Sequence, residues 1–264
     1  MSLLDHFIIV ELEATFENGL FNSGDPLIYV NCPVHVSTPK KRVWADCNLG
    51  RNSQCSNVHL LHKDDPDRSG SKRCESSTKN MKNAVIRPRT WYYYGFSIYI
   101  PSDWIDDTQS EILFQWKGGS GGKPFIGLHS KNTEFYININ TNTDPNFDPK
   151  EDKHLLKKRK HSITDNFVKG KWHDFLFNVT WDFNSPGIAQ LFVEYKTEDD
   201  DDYETVVYDN QTNMYNAEGY AKWGVYKPGW KKHPDRSMVT TRKVIHDNIR
   251  IGYNREVVDP SINR

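Results

Sequence analysis

The sequence has no strong net charge and no long apolar run. It carries 34 Lys and Arg residues against 35 Asp and Glu residues, which gives a formal net charge of −1. This balance excludes the overall basic field that nucleic-acid-binding proteins show, and no apolar run is long enough for a transmembrane helix. We therefore expect neither nucleic acid nor a membrane as a partner. No signal peptide is visible, and we interpret the start at Met1 as replacing a removed leader.

Cysteine is also scarce. The four cysteines all lie in the first third of the chain: Cys32, Cys47, Cys55 and Cys74. Their spacings of 15, 8 and 19 residues exclude a C-x₂-C zinc pair, whereas the even count is compatible with two disulfides. Asn178-Val-Thr and Asn210-Gln-Thr are N-glycosylation sequons. These features favour an extracellular, secreted protein.

Long amphipathic helices, internal repeats and interdomain linkers are all missing. Apolar and polar residues instead alternate with period two along residues 94–100, 135–140 and 175–182, with Gly, Pro, Asn and Asp between such segments. This pattern predicts an all-β sandwich or barrel. The length of 264 residues suits one such domain, and we predict a single domain over residues 1–264. The polar, Ser-rich residues 48–82 are predicted to form a long loop that crosses one end of this domain.

Two segments have the alternation expected for the wall of a ligand groove. Along residues 220–226, apolar residues share one strand face, and the other face carries Tyr220, Lys222, Gly224 and Tyr226. Along residues 111–117, one face is predicted to hold Ile112, Phe114 and Trp116, and the other Leu113, Gln115 and Lys117.

Tyr, Gln and Lys side chains on open strand faces match the needs of β-elimination on a uronic-acid polysaccharide. That reaction requires neutralisation of the sugar carboxylate, a base for the C5 proton and an acid for the leaving oxygen. We predict that Gln115 neutralises the carboxylate and stabilises the charge that develops. Tyr226 is the predicted base and acid. Lys222, four residues earlier on the same face, is the predicted cation that favours its phenolate form.

The same residues carry a resemblance to β-jelly-roll polysaccharide lyases. Residues 220–226 resemble the Y-F-K-A-G-[IV]-Y motif of alginate lyases, Gln115-Trp-Lys117 stands where they have Q-[IV]-H, and Arg73-Cys-Glu75 resembles R-[ST]-E. Residues 91–101 and a closing strand at 247–252 are more similar to the heparin lyase and glucuronan lyase group. The resemblance implies an all-β, concanavalin-like β-jelly-roll sandwich of two antiparallel sheets with a concave groove, acting as a polysaccharide lyase.

The chain departs from the family pattern at its histidines. The usual His two residues after the Gln is Lys117, and the segment around R-x-E has no His at the matching positions: Lys72, Ser76 and Ser77. Either Tyr226 acts alone as base and acid, or His59 or His62 folds in as the base. A rival hypothesis from another class is a catalytically silent carbohydrate-binding module on the same fold.

Further side chains are predicted to bind an acidic substrate. They are Arg73, Lys117, Tyr220, Arg89 and Lys227. The planar guanidinium group of Arg matches the geometry of a carboxylate. Lys227 is the first residue of a basic cluster that directly follows Tyr226. The basic run at 157–161 is interpreted as solvated loop charge. The expected partner is glucuronan, alginate or a heparin-like chain, bound by a monomer.

Metal and serine chemistry receive weaker support from the sequence. The predicted reaction needs no cofactor, and the resemblance implies a structural Ca²⁺ whose ligands the sequence does not identify. Gly118-Gly-Ser-Gly-Gly122 satisfies G-x-S-x-G, but residues 123–129 do not have the pattern of the helix that a nucleophile elbow requires. We interpret this motif as a flexible turn beside the cleft, and a hydrolase is the third hypothesis.

Overall fold

The structure is a computed structural model that describes residues 10–14, 29–33, 42–82, 85–119 and 122–262. Its two one-turn helices are α1 (Gly229–Lys232) and α2 (Arg255–Val258). No helix in these ranges is long and apolar enough to cross a membrane. The strands in chain order are β1 (Val10–Ala14), β2 (Tyr29–Asn31), β3 (Val43–Asp46), β4 (Ser56–His62), β5 (Arg73–Ser77), β6 (Thr90–Ile100), β7 (Glu111–Gly118), β8 (Pro124–Lys131), β9 (Glu134–Thr141), β10 (Lys157–Thr164), β11 (Lys171–Trp181), β12 (Gln190–Thr197), β13 (Glu204–Asp209), β14 (Gly219–Tyr226) and β15 (Thr241–Gly252).

The strands form two antiparallel sheets. The eight-stranded sheet has the order β13-β12-β11-β6-β15-β4-β3, with β1 paired to β15. The seven-stranded sheet has the order β10-β9-β8-β7-β14-β5-β2. Neighbours along each sheet are often distant in the chain, as when β14 inserts between β7 and β5. The predicted all-β fold with two antiparallel sheets is therefore confirmed.

The core between the sheets is strongly aromatic. Phe96 of the eight-stranded sheet stacks on Phe114 of the seven-stranded sheet, with ring centroids 4.0 Å apart and an interplanar angle of 7°. Trp116, Trp181 and Trp223 are all buried in the same cluster. Aromatic pairs add to the hydrophobic stabilisation from burial, so these rings stabilise the packing of one sheet on the other.

A β-bulge changes the predicted faces of two residues in β7. The pairing of β7 with β8 shifts register between Ile112 and Phe114. Leu113 consequently joins the core cluster, and Ile112 does not. The predictions for Ile112 and Leu113 are wrong because a bulge inserts one residue into the alternation, whereas Gln115 beyond the bulge keeps its predicted orientation.

The prediction that residues 48–82 form a long loop across one end of the domain is also wrong. This segment contributes one strand to each sheet. These strands are β4 and β5. Their polar side chains are buried through hydrogen bonds between the sheets, as between His59 Nε2 and Ser76 Oγ at 3.0 Å. Disulfides Cys32–Cys74 and Cys47–Cys55 fix both ends of this region.

Gly224 allows β14 to approach its neighbour strand closely. It has φ +130°, and a Cβ at this position would lie 2.4 Å from the carbonyl oxygen of Cys74. The register of β14 against β7 shifts between Trp223 and Tyr226, so Gly224 lies within the irregularity that sets the position of Tyr226.

We expect Gly224→Ala to lower the free energy of unfolding by at least about 2 kcal/mol, because backbone strain and the clash with β5 act together. Denaturant titration measures the change. Gly187→Ala is the matched control, since Gly187 has φ +90° with no atom within 4 Å of an added Cβ. Equal losses in the two variants would contradict a role for the close approach.

Candidate active site

The open face of the seven-stranded sheet contains a cavity of about 350 Å³, hereafter the groove. It is lined by Tyr29, Asn31, Ser69, Arg73, Ser77, Lys79, Lys117, Gly119, Gly122, Tyr220, Lys222 and Tyr226. Five of the predicted site residues are among these, and Gln115 lies buried beside them. The alternation of β14 produces this arrangement, because Ala221, Trp223 and Val225 face the core.

Strand pairing brings the site residues together from distant parts of the chain. Tyr226 is paired with Arg73 of β5, and Lys222 is paired with Gln115 of β7. Tyr220 is paired with Lys117 in the same ladder. Directly opposed residues of neighbouring strands have Cβ atoms roughly 5 Å apart, so the three motifs of the sequence form one continuous surface.

Glu75 is the residue that links these groups, and it was not assigned a role from the sequence. Its carboxylate accepts a hydrogen bond from Gln115 Nε2. It also accepts from Lys222 Nζ at 2.5 Å and from an Arg73 guanidinium nitrogen at 3.3 Å. Glu75 is only 2% exposed. A buried carboxylate therefore fixes the orientation of one amide and two cations; the Arg73-Cys-Glu75 motif was the only signal for it in the sequence.

The cation that contacts the ring of Tyr226 is Arg73. Its guanidinium carbon lies 4.0 Å from the centroid of the Tyr226 ring, a cation–π geometry. Lys222, predicted as the electrostatic partner of Tyr226, instead forms its ion pair with Glu75. Burial lowers the pKa of Lys222, and the Glu75 charge opposes this shift. Burial also raises the pKa of Tyr220, so its hydroxyl stays protonated and suits hydrogen bonding.

The amine of Lys117, which stands where the resembling alginate lyases have a histidine, is held at the edge of the groove. It donates to the carbonyl oxygens of Gly118 at 2.9 Å and Gly119 at 3.5 Å, and also to that of Gly122. Burial and the charges of Lys222 and Arg73 lower its pKa to about 7. Lys117 is thus a cation below neutral pH that loses its charge above it.

Neither candidate histidine reaches the groove. His59 is buried between the sheets beside Ser76 and His246, and burial lowers its pKa well below the usual value. His62 lines a different cavity, of about 800 Å³, together with Lys72 and Trp230. The hypothesis that one of them folds in as the base is not supported by this geometry.

Two predicted substrate ligands lie elsewhere. Lys227 is fully buried and forms ion pairs with Asp107 at 2.7 Å and Glu111 at 2.5 Å, because the chain turns inward after Tyr226. Arg89 precedes β6 in the eight-stranded sheet, and its side chain is 72% exposed near Asp182. Neither Lys227 nor Arg89 therefore lines the groove.

The described residues offer no evident metal centre. Among them, no group of three or more His, Cys, Asp or Glu side chains is arranged to hold a metal ion. The structural Ca²⁺ implied by the resemblance stays a prediction.

Sequence comparison identifies the family. A sequence model described as polysaccharide lyase matches residues 40–250, which is most of the chain. The chain belongs to the polysaccharide lyase family. No curated protein matches the sequence of this lyase. The resemblance predicted from the three motifs is confirmed, and so is the assignment as an enzyme of the lyase class.

Solved structures agree with the fold of this lyase. The endo-β-1,4-glucuronan lyase of the fungus Trichoderma reesei is 16% identical over 88% of this chain and 98% of its own, with a TM-score of 0.66. The alginate lyase of Aplysia kurodai is 13% identical over 86% of this chain and 98% of its own, with a TM-score of 0.54.

A hydrolase shares the same architecture. The catalytic domain of a glycoside hydrolase family 131 protein from Coprinopsis cinerea is 10% identical over 96% of this chain and 98% of its own, with a TM-score of 0.59. At such identities the likeness shows the fold alone, because one fold hosts different chemistries. The arguments about chemistry must therefore come from the groove.

Proposed function

We propose that this lyase cleaves a uronic-acid-containing polysaccharide by β-elimination, with Tyr226 transferring the proton. The observation that carries the proposal is the cluster of Tyr226, Arg73, Gln115 and Lys222 around one buried carboxylate on one sheet face. Four cationic side chains line the groove: Arg73, Lys79, Lys117 and Lys222. This lining suits a polyanionic sugar chain, and glucuronan, alginate and heparin-like polymers are the candidate substrates.

In the proposed reaction, the uronate carboxylate binds to Gln115 and the neighbouring cations, which stabilise the charge that develops on it. Tyr226, as phenolate, removes the C5 proton. The electron pair forms the C4–C5 double bond, and the glycosidic oxygen leaves from C4. Tyr226 then returns its proton to that oxygen. One residue serves as base and acid because no histidine of the described chain lines the groove.

The hydrolase hypothesis is disfavoured by the groove. A glycosidase needs two carboxyl groups flanking the scissile bond, whereas the described residues that line the groove include no Asp or Glu. Glu75 lies beneath them, 2% exposed and bound to three partners. The silent binding module stays the rival hypothesis, since the same cations would hold a uronate without cleaving it.

An extracellular site of action is part of the proposal. The disulfides Cys32–Cys74 and Cys47–Cys55 support it, because disulfides persist in oxidising compartments. The monomeric state stays a prediction from the sequence.

Substrate affinity should depend on pH through Lys117. Its pKa of about 7 makes it a cation below neutral pH and a neutral amine above. We expect KM for a polyuronate to rise as pH increases from 6 to 8, because a cation that attracts the polyanion is lost. Lys117→Arg keeps its charge, so its KM should vary less over this range. The same pH dependence in both enzymes would contradict a contribution from Lys117.

Ultraviolet absorbance tests the proposed reaction, because elimination leaves an absorbing unsaturated sugar. Glucuronan, alginate, heparin and hyaluronan are incubated separately with the enzyme, with Ca²⁺ or with a chelator. A rise with one polymer identifies the substrate class. Flat traces with all four, together with measurable binding to one, would support the silent binding module.

A further inference from the structure

The basic run at residues 157–161 is not a solvated loop, as the sequence suggested, but part of β10 at the edge of the seven-stranded sheet. Its alternation separates two sets of basic side chains. Arg159 and His161 both contact the Asp209 carboxylate, at 2.8 and 2.9 Å, on the side of the eight-stranded sheet. Lys160 lies over the Tyr136 ring, 4.1 Å from its centroid, on the open face. Lys158 shares that open face because it is two residues from Lys160.

Lys158 belongs to a group of lysines that continues the groove. Lys158 is paired with Asn140 of β9, whose Nδ2 donates to the carbonyl oxygen of Pro124, the residue after Lys123. The Lys123 Nζ in turn lies 3.5 Å from the carbonyl oxygen of Lys153, in the short 3₁₀ turn before β10. Burial, followed by the charge of Lys158, lowers the pKa of Lys123. Lys123 directly follows Gly122, which lines the groove and whose carbonyl oxygen accepts a hydrogen bond from Lys117. We call Lys123, Lys153 and Lys158 the lysine cluster.

The lysine cluster differs from neighbouring Lys160 in its ion pairing. None of its three amines is paired with a carboxylate in the described part of the chain, whereas Lys160 pairs with Glu134 at 2.6 Å. Clustered like charges repel one another and destabilise the folded state. A bound polyanion would remove this cost, so the cluster has the electrostatic properties of an anion-binding surface.

The strand order separates Lys158 of the lysine cluster from Lys117 of the groove. Lys117 is on β7 and Lys158 on β10, with β8 and β9 between them. Three strand spacings correspond to about 14 Å, which is longer than a single sugar residue. A polysaccharide bound at Tyr226 and running across the sheet past Lys117 would reach the lysine cluster with a later residue of the same chain.

We propose that Lys123, Lys153 and Lys158 form a distal subsite that binds the carboxylates of uronate residues beyond the cleaved bond. The subsite rests on the proposed function, since it extends the same groove. It selects polymers that carry an anionic group on successive sugars, and it acts on affinity rather than on the chemical step.

The test uses the variant Lys123→Ser/Lys158→Ser, with Lys157→Ser as the matched control. Lys157 is exposed on the same strand but lies on the opposite face, with Arg159. For long glucuronan, we expect the double variant to raise KM and Kd roughly five- to tenfold with kcat unchanged, and to weaken their dependence on salt. Short glucuronan oligosaccharides that cannot span the two sites should show no change. The thermal midpoint should not fall, because repulsion is relieved.

Three outcomes separate the possibilities. Equal KM and Kd values in the double variant and in Lys157→Ser would overturn the subsite, while cleavage by the wild type would leave the proposed function intact. The same loss with short oligosaccharides would overturn its distal position. If wild-type protein binds glucuronan in calorimetry without producing an absorbing product, and the double variant loses that binding, the subsite stands and the lyase proposal fails for this polymer.

Discussion

Tyr226→Phe is expected to reduce kcat for elimination by about 10³-fold or more, because it removes the phenol that serves as both base and acid. The Kd for the polymer, measured by calorimetry, should change little. The ring remains in place for Arg73 to stack on, since that contact is made with the ring face at 4.0 Å. Absorbance kinetics and calorimetry on the same preparation separate the two effects.

Tyr220→Phe is the matched comparison for this variant. Tyr220 lies on the same strand and also lines the groove. We expect its loss to weaken binding with a much smaller effect on kcat, because burial keeps its hydroxyl protonated by raising its pKa. A Tyr226→Phe enzyme that retains most of its kcat would exclude Tyr226 as the proton-transfer group.

Glu75→Ala is expected to affect both stability and activity. It leaves Lys222, which is 5% exposed, without its carboxylate partner. Removing one partner of a buried ion pair typically costs about 3–5 kcal/mol, because the other charge stays buried. The amide of Gln115 also loses its hydrogen-bond acceptor, so we expect kcat to fall together with the free energy of unfolding.

Two further variants make this result interpretable. Glu75→Gln keeps the size and an acceptor for Gln115 but removes the charge, so it should retain more activity than Glu75→Ala if the orientation of Gln115 matters. Glu194→Ala breaks the partly exposed ion pair with Arg255, whose side chain is 38% exposed, and should cost less than about 1 kcal/mol. Similar unfolding free energies for Glu75→Ala and Glu194→Ala would contradict the central position of Glu75.

The period of two in β-strands predicted both the fold and four of the twelve groove residues. Alternation along residues 220–226 placed Tyr220, Lys222 and Tyr226 on one face, and the groove contains all three. The motif at Arg73 marked a groove residue although β5 itself was not predicted. An Arg-Cys-Glu-Ser-Ser strand lacks the apolar alternation by which strands are recognised, since its burial depends on hydrogen bonds between the sheets.

The sequence alone could not identify which residues the charged side chains contact. Periodicity gives the face of a side chain but not the residue it contacts, and both Lys222 and Lys227 form ion pairs with carboxylates that lie more than 100 positions away in the chain. Lys227 follows Tyr226 directly, yet it turns inward to Asp107 and Glu111. The bulge at Leu113 had no local signal either, because it arises from the pairing of β7 with β8.

The central claim is that the enzyme cleaves by elimination. The most direct test is to let the enzyme digest a polymer that it cleaves, in water enriched in the heavy isotope of oxygen. Elimination breaks the glycosidic bond without adding water. The account therefore predicts new chain ends that absorb in the ultraviolet and carry no heavy oxygen by mass spectrometry. Heavy oxygen in the new reducing ends, with no absorbing product, would show hydrolysis and contradict the assignment of Tyr226, Gln115 and Lys222 to β-elimination.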